Sequence, residues 1–134
     1  MSAMTDSFEV DQRNHWFRTS SVSKPTAITV HLYTSAPGET GGGTEVSGGA
    51  YNSVTRNASD SNWTATSATD GVTDNAAAIT FPAPSGGNWG VITAVGIKFD
   101  TVLKLYGNLG TPKTVNNGDA APSFATGELN IAFA

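Results

Sequence analysis

Short runs of β-branched and apolar residues, bounded by Gly, Pro, Asn and Asp, dominate the chain after its first 24 residues. The clearest runs are residues 27–33, 76–81, 91–99 and 102–106. Only Asp100 and Thr101 separate the last two runs, which predicts a β-hairpin. About eight such segments recur, roughly 8–12 residues apart, without a long helical pattern. We therefore predict an all-β chain in which residues 25–134 form a single antiparallel β-sandwich or jelly-roll-like domain.

Residues 1–24 differ from the rest because their apolar positions fit neither the period of a strand nor that of a helix. Asp6 and Glu9 match a capping box, which favours one helical turn. We predict an N-terminal arm that contributes to assembly and contacts a neighbouring subunit. The residues predicted for this protein interface are Phe8, Val10, Trp16 and Phe17. The alternative is an ordered arm that packs back on its own domain.

Composition excludes several classes of function. The 134 residues contain no cysteine, so neither a disulfide nor a thiolate metal site can form, which suits synthesis in a reducing cytoplasm. Lys and Arg number only 7 and the formal net charge is −4, which argues against nucleic-acid binding. No apolar run approaches the roughly 20 residues of a membrane span, and the N-terminus lacks the pattern of a signal peptide. We expect neither a membrane nor a nucleic acid as partner.

Candidate chemistry is sparse along the chain. Of the two histidines, His15 and His31, the second lies within a predicted strand, where a structural role is expected. Glu39 and Glu45 could form a glycosidase-like carboxylate pair, but their glycine-rich surroundings do not favour rigid placement. Residues 70–75 could supply oxygen ligands to calcium, although an Asx-Gly turn explains the same residues. We therefore predict a protein without enzymatic activity, cofactor or metal.

Four blocks of sequence carry a resemblance to a known family. They read HLYTSAPGETG at residues 31–41, AITFP at 78–82, NWGVITAVGI at 88–97 and LYGNLGTPKTVNNGD at 105–119. In these blocks, their order and their spacing, the chain resembles a family of short tailed-bacteriophage virion structural proteins, usually labelled phage tail fibre proteins. The resemblance implies a virion component that is synthesised in the host bacterial cytoplasm and assembles with other phage structural proteins. Members usually open with a helix carrying regularly spaced leucines, a stripe that residues 8–18 lack.

Two placements within the virion are open. A chain with an arm and no shaft fits a capsid decoration, or cement, protein, so we take this placement as the main hypothesis. Its partners would be the major capsid protein and further copies of the chain in a homo-oligomer. The alternative is a tail fibre or baseplate component, bound to tail proteins and able to recognise a host carbohydrate. Trp63, in a polar loop, is the candidate ligand platform for a sugar, whereas Trp89 is expected in the core or at an interface.

Overall fold

The strands of the structure agree with the predicted fold class. A computed structural model of the chain describes residues 3–66 and 70–133, which contain one α-helix and ten β-strands. The strand pairs in this part of the chain are all antiparallel, so the prediction of an all-β, single-domain protein is confirmed. The elements are β1 (Ala3–Met4), α1 (Asp6–Phe17), β2 (Ile28–Ser35), β3 (Thr44–Glu45), β4 (Val54–Thr55), β5 (Val72–Asp74), β6 (Ile79–Thr80), β7 (Gly90–Phe99), β8 (Val102–Val115), β9 (Ser123–Phe124) and β10 (Asn130–Ala132).

The three longest strands form the centre of a main sheet. Its order is β1-β8-β7-β2-β3, and β4 also pairs with β2. A tight hairpin joins β7 to β8, with Phe99 opposite Val102. Asp100, inside this turn, has a φ of 57°, a left-handed conformation that Asp tolerates better than most residues. The hairpin predicted from the sequence is therefore confirmed.

The hydrophobic core lies against one face of the main sheet. Alternate residues along a strand point to the same face, and Val30, Ile97 and Leu105 are only 0, 4 and 2% exposed. The second sheet expected for a sandwich is present as two separate two-stranded ribbons, one of β5 and β10 and one of β6 and β9. Ile79 of β6 and Leu129, just before β10, belong to the same core as the residues of the main sheet.

The N-terminal helix is the main departure from prediction. The expected single turn is wrong, because α1 spans 12 residues, and its N-cap is Thr5 rather than Asp6. The Thr5 hydroxyl accepts a hydrogen bond from the backbone N–H of Phe8 at 3.4 Å and donates one to the Leu103 carbonyl oxygen at 2.9 Å. One hydroxyl thus caps the helix and ties its start to β8.

Only one side chain of α1, that of Phe8, is buried in the core. The sequence of the helix therefore shows no amphipathic period. Phe8 is 4% exposed, and its ring meets those of Phe99 and Phe133 edge-on, with centroids 5.2 Å apart in each pair. One turn further, Asp11 forms an ion pair with Lys104 of β8. One apolar and one ionic contact therefore replace the stripe of buried residues that usually reveals a helix.

The segment predicted as an arm, residues 1–24, has two different parts in the structure. β1 extends the edge of the main sheet beside β8, and α1 is anchored to the same strand. Residues 18–24 are exposed and belong to no helix or strand, although the backbone N–H of Val22 donates to His15 Nδ1 at 3.0 Å. Residues 3–17 are thus joined to the sheet, and only residues 18–24 cross the surface.

Candidate functional site

Exposed apolar side chains are concentrated on and around α1. Trp16 is 71% exposed, Phe17 86% and Val10 46%. Three further exposed residues line a groove beside the helix: Val22, Val102 and Phe133. We call these six residues the α1 surface. A monomer seldom exposes several large apolar side chains together, and such a patch usually marks a binding surface.

Phe8, one of the four residues predicted for the interface, is not available to a partner. Its side chain is buried between Phe99 and Phe133 of its own chain, so we remove it from the predicted interface. The other three predicted residues, Val10, Trp16 and Phe17, are exposed, and their role in binding stays a prediction.

The exposed residues of α1 face two directions. An α-helix turns by about 100° per residue, so Val10 and Phe17 lie almost one above the other on the side opposite Phe8. Trp16 lies about 100° from Phe17 and lines the groove between α1 and the β7–β8 turn. The helix therefore carries an outward apolar ridge, Val10 and Phe17, and a groove wall, Trp16.

The groove has a volume of about 530 Å³ and a mixed lining. Its apolar wall is formed by Trp16, Val22, Val102 and Phe133. Lys104, which also lines the groove and is 9% exposed, donates to Asp11 Oδ2 at 2.6 Å and to Ser7 Oγ at 2.9 Å. A buried ammonium group needs such partners, and the ion pair adds no net charge to the groove. Lys24 and Asp100, which also line the groove, carry opposite charges, so the groove as a whole suits an apolar or aromatic side chain better than a phosphate.

The sequence predicts the three residues of the α1 surface that lie on the helix, but it does not predict the three that lie outside it. Trp16 and Phe17 were recognisable as adjacent aromatics in a polar segment. Val22, Val102 and Phe133 come from three distant parts of the chain, and no local pattern indicates that they meet. Only the packing of α1 beside the β7–β8 turn brings them together.

Trp63, the predicted ligand platform, is half-buried. Its indole N–H donates to the Arg56 carbonyl oxygen at 3.1 Å, and its ring lines an apolar cavity of about 320 Å³. Ile97 and Leu105 of the core line the same cavity. A ring held in this way offers only part of its face to a sugar, which weakens the case for stacking at this position.

Trp89 is in the core, which confirms the prediction for this residue. It is 4% exposed, its indole N–H donates to the Gly49 carbonyl oxygen at 2.7 Å, and the ring of Tyr51 meets it edge-on at 5.2 Å. A buried indole with a satisfied N–H is a strong anchor. It holds the segment around Gly49 against the start of β7.

His31 and Glu45 meet in a polar cluster. His31 is 8% exposed and hydrogen bonds through Nδ1 to Glu45 and through Nε2 to the Thr29 hydroxyl, the latter at 2.7 Å. Burial lowers the pKa of His31, although the hydrogen bond and the charge of Glu45 act in the opposite direction. The Tyr51 hydroxyl donates to the same Glu45 oxygen at 3.0 Å, and burial raises the pKa of Tyr51. The Glu45 carboxylate is therefore engaged in contacts that join parts of the fold.

Two of the remaining candidates, Glu39 and Asp70, take part in local hydrogen bonds to the backbone. Glu39 contributes its backbone carbonyl oxygen, which accepts from the Asp6 N–H at 2.9 Å. The Asp70 carboxylate accepts from the Val72 N–H at 3.1 Å, as in an Asx turn. Within residues 3–66 and 70–133, no three His, Asp or Glu side chains converge as a metal site would require. No helix in the same ranges has the length and apolar character needed to cross a membrane.

Comparison with known proteins identifies the family. No curated protein matches the chain significantly. Over residues 3–132 the chain matches the family described as podophage GP4 fiber I protein gp80. This range contains α1, all ten strands and the four sequence blocks that resemble phage fibre proteins, so that resemblance is confirmed. The chain belongs to the podophage GP4 fiber I protein gp80 family and is a structural component of a phage virion that interacts with other virion proteins.

Proposed function

We propose that the chain is a non-enzymatic fibre component that attaches to another virion subunit through the α1 surface. The observation that carries the proposal is the exposure of Trp16 and Phe17 on a helix whose base is fixed to the sheet. Covering an aromatic side chain contributes about 2 kcal/mol at roughly 25 cal/mol per Å². Because α1 is already ordered by Phe8, little of this energy is spent on ordering the helix when a partner binds.

The family description supports a fibre placement over capsid decoration, which was the main hypothesis from the sequence. No particular contact among the residues that the structure describes favours capsid decoration over a fibre placement. A host-carbohydrate role has less support, because Trp63 is half-buried and bonded to Arg56.

The proposed absence of enzymatic activity is supported by the hydrogen bonds that the candidate catalytic residues, His31 and Glu45, make within the fold. His31 and Glu45 hydrogen bond to each other and to neighbouring residues, and Glu45 also accepts from Tyr51. A catalytic base needs to reach a substrate proton, and these atoms are occupied within the fold.

Incorporation into particles tests the proposed attachment. The double variant Trp16→Ser/Phe17→Ser would be supplied as the sole source of the chain, and its amount per particle measured by quantitative mass spectrometry. Losing about 2 kcal/mol at each residue should weaken attachment by roughly a thousandfold. Val91→Ser is the matched control, because Val91 is 47% exposed but lies on β7 outside the α1 surface. Normal incorporation of the double variant would contradict the proposal.

Imaging distinguishes the two placements. The natural chain has no cysteine, so Ala120→Cys, in an exposed loop after β8, creates a unique thiol for a gold label away from the α1 surface. Label at the tail of the particle supports the fibre placement. Label over the whole head would overturn it in favour of capsid decoration.

A further inference from the structure

Basic residues are concentrated next to the exposed aromatic side chains of α1. Residues 12–24 contain no Asp or Glu. They contain three of the seven basic residues of the chain, which are Arg13, Arg18 and Lys24. Residues 25–134 contain eight Asp and Glu residues against four Lys and Arg, and the whole chain has a formal net charge of −4. The segment that carries the exposed aromatics is thus the basic part of an acidic protein.

The three basic side chains are exposed and border the α1 surface. Arg13 lies one turn before Phe17 on the same side of α1, where it forms an ion pair with Glu9 at 3.3 Å. Arg18 follows Phe17 directly in the sequence, and Lys24 lines the groove beside the helix. Positive charge therefore lies next to both the outward ridge and the groove.

The carboxylates of α1 do not neutralise all of this charge. Glu9 is paired with Arg13, and Asp11 is paired with Lys104 at 2.6 Å. Asp6, the remaining carboxylate of the helix, lies in its first turn, about 16 Å along the axis from the end of α1. The acidic and basic parts of the helix are therefore separated.

Arg18 and Lys24 form no ion pair within residues 3–66 and 70–133. Asp100 also lines the groove, but its carboxylate accepts hydrogen bonds from the backbone N–H groups of Thr26 and Ala27, each at 3.1 Å. A cation at a helix C-terminus interacts favourably with the helix dipole, which accounts for Arg18. Lys24 lies seven residues beyond the end of α1 and has no such explanation.

We propose that the partner of the α1 surface is a protein with an apolar pocket that is bordered by carboxylates. Trp16 and Phe17 enter this pocket, while Arg18 and Lys24 form ion pairs at its border. Exposed ion pairs add little to affinity, but they accelerate association and help to select the partner. The inference rests on the proposed function, to which it adds the charge of the partner.

An anionic membrane fits these charges less well than a protein. Segments that recognise anionic lipid headgroups usually carry about 4–8 Lys and Arg residues, whereas residues 12–24 carry three. The net charge of −4 also repels an extended anionic surface. A protein partner can place a few carboxylates beside an apolar pocket, and most of this repulsion is then avoided.

Zero-length cross-linking on intact particles tests the contact directly. A carbodiimide joins a lysine amine to a carboxylate only where the two groups touch. Mass spectrometry should therefore find Lys24 joined to an Asp or Glu of a different virion protein. The Lys104–Asp11 pair, whose charged atoms are 2.6 Å apart, is the internal control. If this control is coupled, the absence of a Lys24 link, or a link only to another copy of the chain, would overturn the proposal.

Charge reversal measures the effect on association with particles that were produced without the chain. Purified Arg18→Glu/Lys24→Glu should bind these particles about tenfold more slowly than the wild type at about 0.1 M salt, and the difference should shrink at about 1 M. Lys24→Glu alone serves if the change at Arg18 perturbs the end of α1. Its matched control is Lys113→Glu, which makes the same change of charge at an exposed position of β8 outside the α1 surface. Equal binding rates for these two single variants at low salt would contradict the inference.

The inference and the proposed function fail in distinguishable ways. If Trp16→Ser/Phe17→Ser loses incorporation while the charge-reversed variants bind at the wild-type rate, the α1 surface attaches the chain but its partner is not acidic. Normal incorporation of the aromatic variant would overturn the proposed function itself. Binding of the wild type to phosphatidylglycerol vesicles, lost in Arg18→Glu/Lys24→Glu, would overturn the inference in favour of an anionic membrane.

Discussion

The main sheet and α1 differ in the burial of their apolar side chains. In β7, four consecutive residues, 94–97, are buried, so both faces of the strand are covered. In α1, Phe8 is the one buried residue, while Trp16 and Phe17 extend into solvent. Burial of these residues within the chain stabilises the sheet without a partner. The exposed helix residues become stabilising only when another surface covers them.

This contrast separates residues that maintain the fold from residues available for assembly. Trp89 and Trp16 represent the two groups, since they are 4% and 71% exposed. Phe8 and Thr5 lie at the boundary, because they belong to the N-terminal segment but contact the sheet. Substitutions at these positions test which residues of the N-terminal segment maintain the fold and which are available for assembly.

Trp89→Ala should have the largest effect on stability. Removing a buried indole costs about 4 kcal/mol in the free energy of unfolding and removes the shorter of the two hydrogen bonds that the Gly49 carbonyl oxygen accepts, leaving the one from the Ser85 N–H at 3.3 Å. Chemical denaturation followed by circular dichroism measures the loss. Trp16→Ala is the control for residue type and should change stability by no more than about 0.5 kcal/mol. Similar losses for both tryptophans would mean that Trp16 is packed within its own chain.

The central strands of the sheet were predictable because the residues that determine them are close together in the sequence. The β7 and β8 runs are continuous in sequence, and the turn between them contains an Asp suited to its backbone conformation. Trp89 precedes the most apolar run and was expected in the core for that reason. The ribbons were harder, because β6 and β9 are two-residue strands that pair across more than 40 intervening residues. Short strands of this kind take their structure from tertiary packing more than from propensity.

Phe8→Ala should have the next largest effect, about 3 kcal/mol, because it empties the contact with Phe99 and Phe133. The comparison is Phe17→Ala on the same helix, which removes the same side chain from an 86% exposed position. The second variant should unfold like the wild type. If Phe8→Ala also unfolds like the wild type, residues 1–24 act as an independent arm, as the sequence suggested.

The candidate site was predictable only in part, for a physical reason. Exposed aromatics in a polar segment indicate an interface, and this gave Trp16 and Phe17. Whether such a residue is buried depends on what packs against it, and Phe8 meets residues more than 90 positions away. The Lys104–Asp11 ion pair joins the helix to β8 over a similar distance. Neither contact leaves a periodic signal in the helix itself.

Thr5→Ala should have the smallest of these effects, about 1–2 kcal/mol, because it removes the N-cap hydroxyl and its bond to Leu103. Thr5→Ser keeps the hydroxyl and should recover most of the loss. Asp6→Ala is the informative comparison, since the sequence favoured Asp6 as the cap. Asp6 is exposed and interacts with the helix start chiefly through its charge, so its removal should cost at most about 1 kcal/mol. Urea denaturation of the three variants decides which residue caps the helix. A larger loss of unfolding free energy for Asp6→Ala than for Thr5→Ala would mean that α1 starts at a different residue and is not tied to β8 through Thr5. If Thr5→Ala costs more stability than Asp6→Ala, as the structure predicts, the residues up to Phe8 maintain the fold, and those from Trp16 onward are available for assembly.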